Sequence, residues 1–140
     1  MELKLKKEDI FLGLESVTKE EAIIAAGQKL VDKGCVEPSY IDYMLEREKV
    51  MTTYMGLGIA IPHGTNEAKN TIKESGVVFL QYPQGVQFDE ELAYLVIGIA
   101  GKGDEHLEIL SNIAIKIEDE LVERLKVTTD EQDFLDAFGA

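Results

Sequence analysis

Residues Ala93 to Ala100 carry a nearly unbroken apolar run, wholly apolar or glycine over Leu95-Val96-Ile97-Gly98-Ile99-Ala100 and on into Gly101. It is far too short to cross a bilayer, and it has no alternation that would leave one face to water. Such a run is expected to be a strand covered on both faces, so helices must lie above and below a sheet. The rest of the chain supplies them. Thr18-Lys19-Glu20-Glu21 is a capping box, followed by Ala22, Ile23, Ala26, Leu30 and Val31 on one helical face. Gly34 is placed to end that helix. Ser39 is expected to cap a second helix with Tyr40, Ile41, Met44 and Leu45 turned inward and Arg47, Glu48 and Lys49 at its exit.

Further strands are expected over Ile59–Ile61, closed by Pro62, and over Val77–Gln81. Tyr82-Pro83-Gln84-Gly85 reads as a turn, with Val86–Phe88 returning as an antiparallel partner. After the Gly101-Lys102-Gly103 loop, a helix should begin near Asp104 and carry Leu107, Leu110, Ile113, Ala114 and Ile117. Another should cover Asp119 to Leu125, and Thr129 should cap a last one from Asp130 to about Phe138. The expected fold is α/β: a mixed, mainly parallel sheet of about five strands with an antiparallel hairpin, and helices on both faces. The 140 residues fit a single domain, 1–140.

Composition narrows the function. The net charge of −13 disfavours nucleic acid and direct membrane insertion, and points instead to solubility or to steering of a basic protein partner. The N-terminus has no secretory h-region. Cys35 is the only cysteine, so no internal disulfide or thiolate metal cluster forms, and a cytoplasmic location is compatible with it. Only two of the 14 basic residues are arginine, Arg47 and Arg124, which gives weight to a planar fork at Arg47.

The two histidines, His63 and His106, each follow the end of a buried strand, where α/β sheets usually form a ligand crevice. If those strands are parallel neighbours, the two imidazoles face one cleft. A neutral imidazole is a nucleophile without a separate base, provided that one ring N–H is pinned, here most simply by a backbone carbonyl. Phosphoryl transfer to it would need donors for three charged oxygens. Gly64 would allow close backbone approach, Thr65 would offer a hydroxyl, Arg47 a fork and His106 a ring donor. No metal or cofactor is required, and a zinc hydrolase lacks the usual third protein ligand. Residue types alone also fit plainer roles: His63 a loop residue, Arg47 a helix-end charge, Thr65 a cap for Asn66–Lys69.

Met44-Leu45-Glu46-Arg47-Glu48, Thr53-Tyr54-Met55-Gly56 and Gly58-Ile59-Ala60-Ile61-Pro62-His63-Gly64-Thr65, in this order, resemble the EIIA components of the bacterial sugar phosphotransferase system (PTS), mannitol/fructose branch. The resemblance continues through Gly76–Phe88 and Leu95–Ala100 to His106-Leu107. Pro62-His63-Gly64-Thr65 and Gln81-Tyr82-Pro83 look most like mannitol-specific members. It implies a phosphoryl carrier that takes the group from the phosphocarrier protein HPr on His63, through Nε2, and passes it to a cysteine of EIIB for mannitol uptake. His106 and Arg47 match the second histidine and the arginine of the family pattern. The alternative within the family is a fructose-type EIIA or a regulatory, nitrogen-PTS-like protein whose phosphorylation state controls a partner. One position departs: six residues before His63, where members often carry Asn or a carboxylate, stands Leu57. A polar group of the phosphoryl pocket is expected to be missing there.

Overall fold

The computed structural model describes residues 5–139. Its strands are β1 (Ile10–Phe11), β2 (Tyr54–Gly56), β3 (Ile59–Ala60), β4 (Gly76–Phe88) and β5 (Glu91–Ala100). They form one mixed sheet in the order β1-β4-β5-β3-β2. β1 runs parallel to β4 and β3 parallel to β5, whereas β4–β5 and β2–β3 are antiparallel. The five strands and the mixture agree with expectation. The balance differs, because β4–β5 is by far the longest ladder and it is antiparallel.

Alternation along β4 divides the core. Val78, Leu80 and Tyr82 face α1 (Lys19–Asp32) and α2 (Tyr40–Val50), with Ala22, Ile23, Ala26, Leu30 and Met44. Val77 and Phe79 face α3 (Glu105–Lys116), α4 (Asp119–Leu125) and α5 (Gln132–Phe138), with Ile109, Ile113, Leu125 and Phe134. β5 serves both sides through Val96 and Ile97, which is why its sequence is apolar without a period. The capping box at Thr18 forms as expected, Thr18 Oγ1 accepting from Glu21 N and Glu21 Oε1 from Thr18 N. Gly34, at φ 81°, ends α1 in the left-handed region. No helix among the described residues is long and apolar enough to cross a membrane.

Three local expectations are corrected. Tyr82–Gly85 is not a hairpin turn. β4 runs on through it as a bulge, these four residues standing opposite Tyr94, and the chain reverses at Asp89-Glu90 with Asp89 at φ 58°. Pro83 cannot donate to the ladder and Gly85 sits at φ 85°, both of which a bulge tolerates as well as a turn does. Ser39 stands at the start of α2 but its side chain makes no cap bond. Thr129 does not cap α5; Thr128 does comparable work, its hydroxyl accepting from Asp130 N and donating to Asp133. β1 and β2 have no counterpart in the sequence reading, since two- and three-residue strands show no period.

Gln81, 2% exposed, ties three segments together. Its Oε1 accepts from Gly13 N at 2.8 Å, and its Nε2 donates to the carbonyls of Leu125 and Thr128 at 2.7 and 2.9 Å. Gln81→Leu keeps the volume but orphans these groups, and should lower stability by about 2–3 kcal/mol. Urea melts with an unchanged slope and a lower midpoint would show it.

Candidate functional site

His63 lies just beyond the carboxyl end of β3. Pro62 does not end the pairing there: Ile99 N donates to the Pro62 carbonyl at 3.1 Å, and His63 forms one further parallel bridge with Ile99. The ring is pinned from behind. Nδ1 is 2.8 Å from the carbonyl oxygen of Ile61, which can only accept, so Nδ1 carries the proton and Nε2 keeps the lone pair. Burial holds the imidazole below its ordinary pKa, the Ile61 carbonyl opposes this, and the Arg47 and His106 charges lower it further. The histidine is therefore neutral and nucleophilic at pH 7.

A cleft of about 400 Å³ opens beside it, lined among others by Tyr40, Arg47, His63, Gly64, Thr65 and His106. β3 and β5 are parallel neighbours, so both histidines emerge at the same sheet edge, as expected. His106 is in the first turn of α3, its Nδ1 3.0 Å from the Gly103 carbonyl, which again leaves Nε2 outward. Gly101 makes this possible: a Cβ there would lie 2.2 Å from His106 Cα.

Arg47 enters from the last turn of α2. Its Nη1 donates to the Met51 carbonyl at 2.6 Å, so the guanidinium is held by the carboxyl end of its own helix and keeps its charge. Its remaining N–H donors are free for an anion. Thr65 begins the 3-10 turn Asn66–Thr71 but does not cap it. Its Oγ1 is shielded from solvent on the cleft wall and has no partner of ordinary hydrogen-bond geometry, although it lies close enough to the Glu67 carboxylate to help hold that group's pKa down.

Gly64 also lines the cleft, for a reason that sequence did not show. Tyr40, only 2% exposed, accepts from Gly64 N at 2.8 Å and donates to the Ile99 carbonyl at 2.8 Å. A Cβ on Gly64 would sit 2.6 Å from Tyr40 Cε1. The glycine thus makes room for the tyrosine, and its N–H is already committed. Burial pushes the Tyr40 hydroxyl up to about 12, so it stays a neutral donor and acceptor. Tyr40→Phe would strand both partners; a loss of about 2 kcal/mol in thermal or urea unfolding is expected.

Leu57 does not face the cleft. It is 49% exposed at the tip between β2 and β3, with φ 56° between Gly56 at 101° and Gly58 at 81°. Left-handed backbone of this kind favours Asn or Asp, so local conformation accounts for a polar residue at this position without any phosphoryl contact. The described residues contain no group of three or more His, Cys, Asp or Glu able to hold a metal. Cys35 is buried at the end of α1, where burial pushes its thiol pKa up.

Residues 4–139 match the family described as "Phosphoenolpyruvate-dependent sugar phosphotransferase system, EIIA 2". The chain is 50% identical to the mannitol-specific phosphotransferase enzyme IIA component of Bacillus subtilis, covering 96% of each. It is also 50% identical to part of the mannitol-specific EIICBA component of Escherichia coli, of whose length it spans 22%. Among solved structures, crystalline IIA mannitol from Escherichia coli superposes with a TM-score of 0.91 at 47% identity, covering 97% of this chain and 99% of that one. The complex of enzyme IIAMTL with phosphorylated enzyme IIBMTL gives 0.93 at 46%, covering 97% of each chain. A nitrogen regulatory protein IIA-Ntr from Neisseria meningitidis shares the fold at 24% identity with a TM-score of 0.81. With the match running almost from end to end, the chain belongs to the EIIA 2 family of the phosphoenolpyruvate-dependent sugar phosphotransferase system and, within it, is most similar to the mannitol-specific components.

Proposed function

We propose that this chain, as a single domain over residues 1–140, is a cytoplasmic mannitol-type EIIA phosphocarrier. It takes a phosphoryl group from HPr on Nε2 of His63 and gives it to the cysteine of a mannitol EIIB domain. The observation that carries this is the pinned imidazole: Nδ1 held by the Ile61 carbonyl, and Nε2 directed away from it toward a cleft shared with His106 and Arg47. In-line attack by Nε2 breaks the P–N bond to the donor histidine and forms the P–N bond to His63. Arg47, His106 and Thr65 supply donors to the equatorial oxygens, and the Gly64 backbone shapes the floor. Fixed protein donors replace a metal, so no cofactor is required beyond the covalent phosphohistidine.

Support for EIIB as acceptor comes from the relative solved as IIAMTL with phosphorylated IIBMTL. The test uses purified protein with phosphoenolpyruvate, the general phosphotransferase enzyme and HPr. An acid-labile phosphate on His63 that moves on to a mannitol EIIB is the expected result. Absence of label would overturn the reading. Label on His63 without passage to that EIIB would favour a fructose-type or regulatory EIIA, for which the fold shared with IIA-Ntr offers no discrimination.

A further inference from the structure

Glu48 is an unusual residue for the exit of a surface helix. Only 8% of it is exposed. Its Oε1 accepts twice from one residue, from Thr53 N at 2.9 Å and from Thr53 Oγ1 at 2.6 Å. Thr53, 4% exposed, passes the constraint on: its carbonyl accepts from Ile61 N at 3.0 Å. The carbonyl of the same Ile61 holds His63 Nδ1. Three successive links therefore run from a buried carboxylate on α2 to the ring that bears the lone pair.

We propose that Glu48 is a positioning residue for His63: through Thr53 and Ile61 it fixes the imidazole in the Nδ1–H tautomer with Nε2 directed into the cleft. The proposal rests on the reading of His63 as the phosphoryl acceptor, and gives that reading a source of preorganisation outside the cleft. Three physical points favour it. A carboxylate that receives two short bonds from one residue fixes that residue's backbone as well as its side chain. The strands of the segment are short, β2 three residues and β3 two, and a run of left-handed backbone at Gly56–Gly58 joins them; the Gly58 carbonyl is tied to Tyr94 N and Leu95 N, which leaves the stretch before β2 to Glu48 and Thr53. Finally, the Lys19 ammonium lies 3.9 Å from Oε2, which has no hydrogen-bond partner, and partly offsets the burial of the carboxylate while itself bonding Asp89 at 2.8 Å.

Glu48 does not line the cleft and touches no reacting atom. Its effect should therefore appear in the ground state of His63 before any transfer occurs. The tautomer is read directly from the ring nitrogen shifts of the labelled, unphosphorylated protein. In wild type, Nε2 should show the shift of an unprotonated nitrogen and Nδ1 that of a protonated one. Glu48→Ala removes both bonds to Thr53, and should lower the Nδ1–H to Nε2–H ratio by about tenfold and slow His63 labelling by a similar factor. Thr53→Val deletes only the hydroxyl donor and should give a smaller change of the same sign. Glu48→Gln keeps an oxygen acceptor without the charge and should restore most of the wild-type tautomer. Amide dispersion and the exchange rate of Ile61 N–H confirm folding and report on the middle link.

Folded Glu48→Ala and Thr53→Val proteins with wild-type ring shifts would overturn the proposal, and so would Glu48→Gln behaving like Glu48→Ala, which would make charge rather than position the agent. If Glu48→Ala does not fold, Thr53→Val and Glu48→Gln decide. Should wild type take no label, the phosphocarrier reading fails, whereas the tautomer measurement judges Glu48 independently.

Discussion

His63→Gln is expected to yield a folded protein that accepts no phosphoryl group, a loss larger than roughly a thousandfold against wild type. Glutamine preserves polarity, and its amide can still donate to the Ile61 carbonyl, but an amide nitrogen has no usable lone pair. Label retained at even a few per cent of the wild-type rate would remove His63 from the reaction. The same variant tests the electrostatics. Burial holds the folded imidazole below the ordinary value of 6.5, so on acidification the unfolded chain takes up that proton first. Wild-type stability should decline as pH falls below about 6.5, and the decline from this residue ends only below the folded pKa. His63→Gln should lack that component of the slope. Equal acid slopes in parallel urea titrations would show that the imidazole is not desolvated.

The second large effect concerns the oxygens of the transferred group. Arg47→Ala should slow single-turnover acceptance by about a hundredfold to a thousandfold, the usual consequence of removing a preorganised charged donor. Arg47→Lys should recover only part, because an ammonium brings the charge without the planar fork. His106→Gln is expected to fall between wild type and Arg47→Ala. Rapid-quench labelling with saturating phosphorylated HPr separates the chemical step from binding. If both Arg47→Ala and His106→Gln transfer as fast as wild type, the cleft is not where the phosphoryl group sits.

Much of this was readable from residue order, and the failures have physical reasons. The capping box at Thr18, the doubly covered strand β5 and helix α4 were legible because strong local signals agreed with the tertiary environment. The hairpin was misplaced because Pro83 and Gly85 advertise a turn more loudly than Asp89-Glu90 does, although Asp tolerates the left-handed backbone found there. His63 and His106 could be paired from sequence since both follow strands that proved to be parallel neighbours. Tyr40 and Glu48 could not be recognised as supports. A tyrosine on an inward helical face reads as core, and a glutamate between Arg47 and Lys49 reads as solvated. One signal was available: Tyr40, Met44 and Glu48 recur every four residues, which puts the carboxylate on the buried stripe. What no spacing rule conveys is the second partner of each group, the Gly64 amide for Tyr40 and Thr53 for Glu48.

The bond between Arg47 and the Met51 carbonyl bears on the energetics of a relay. A carrier that gripped its cargo too firmly would become a sink, halting traffic downstream. In the proposed relay, a phosphoryl oxygen that takes the N–H now held by Met51 gains only the difference between two hydrogen bonds, not the whole of one. That exchange would also run in reverse: on departure of the group the carbonyl would reclaim the N–H, returning part of the cost of release. An arginine with such a resting place would bring loading and unloading closer to balance, which is what passage in either direction demands.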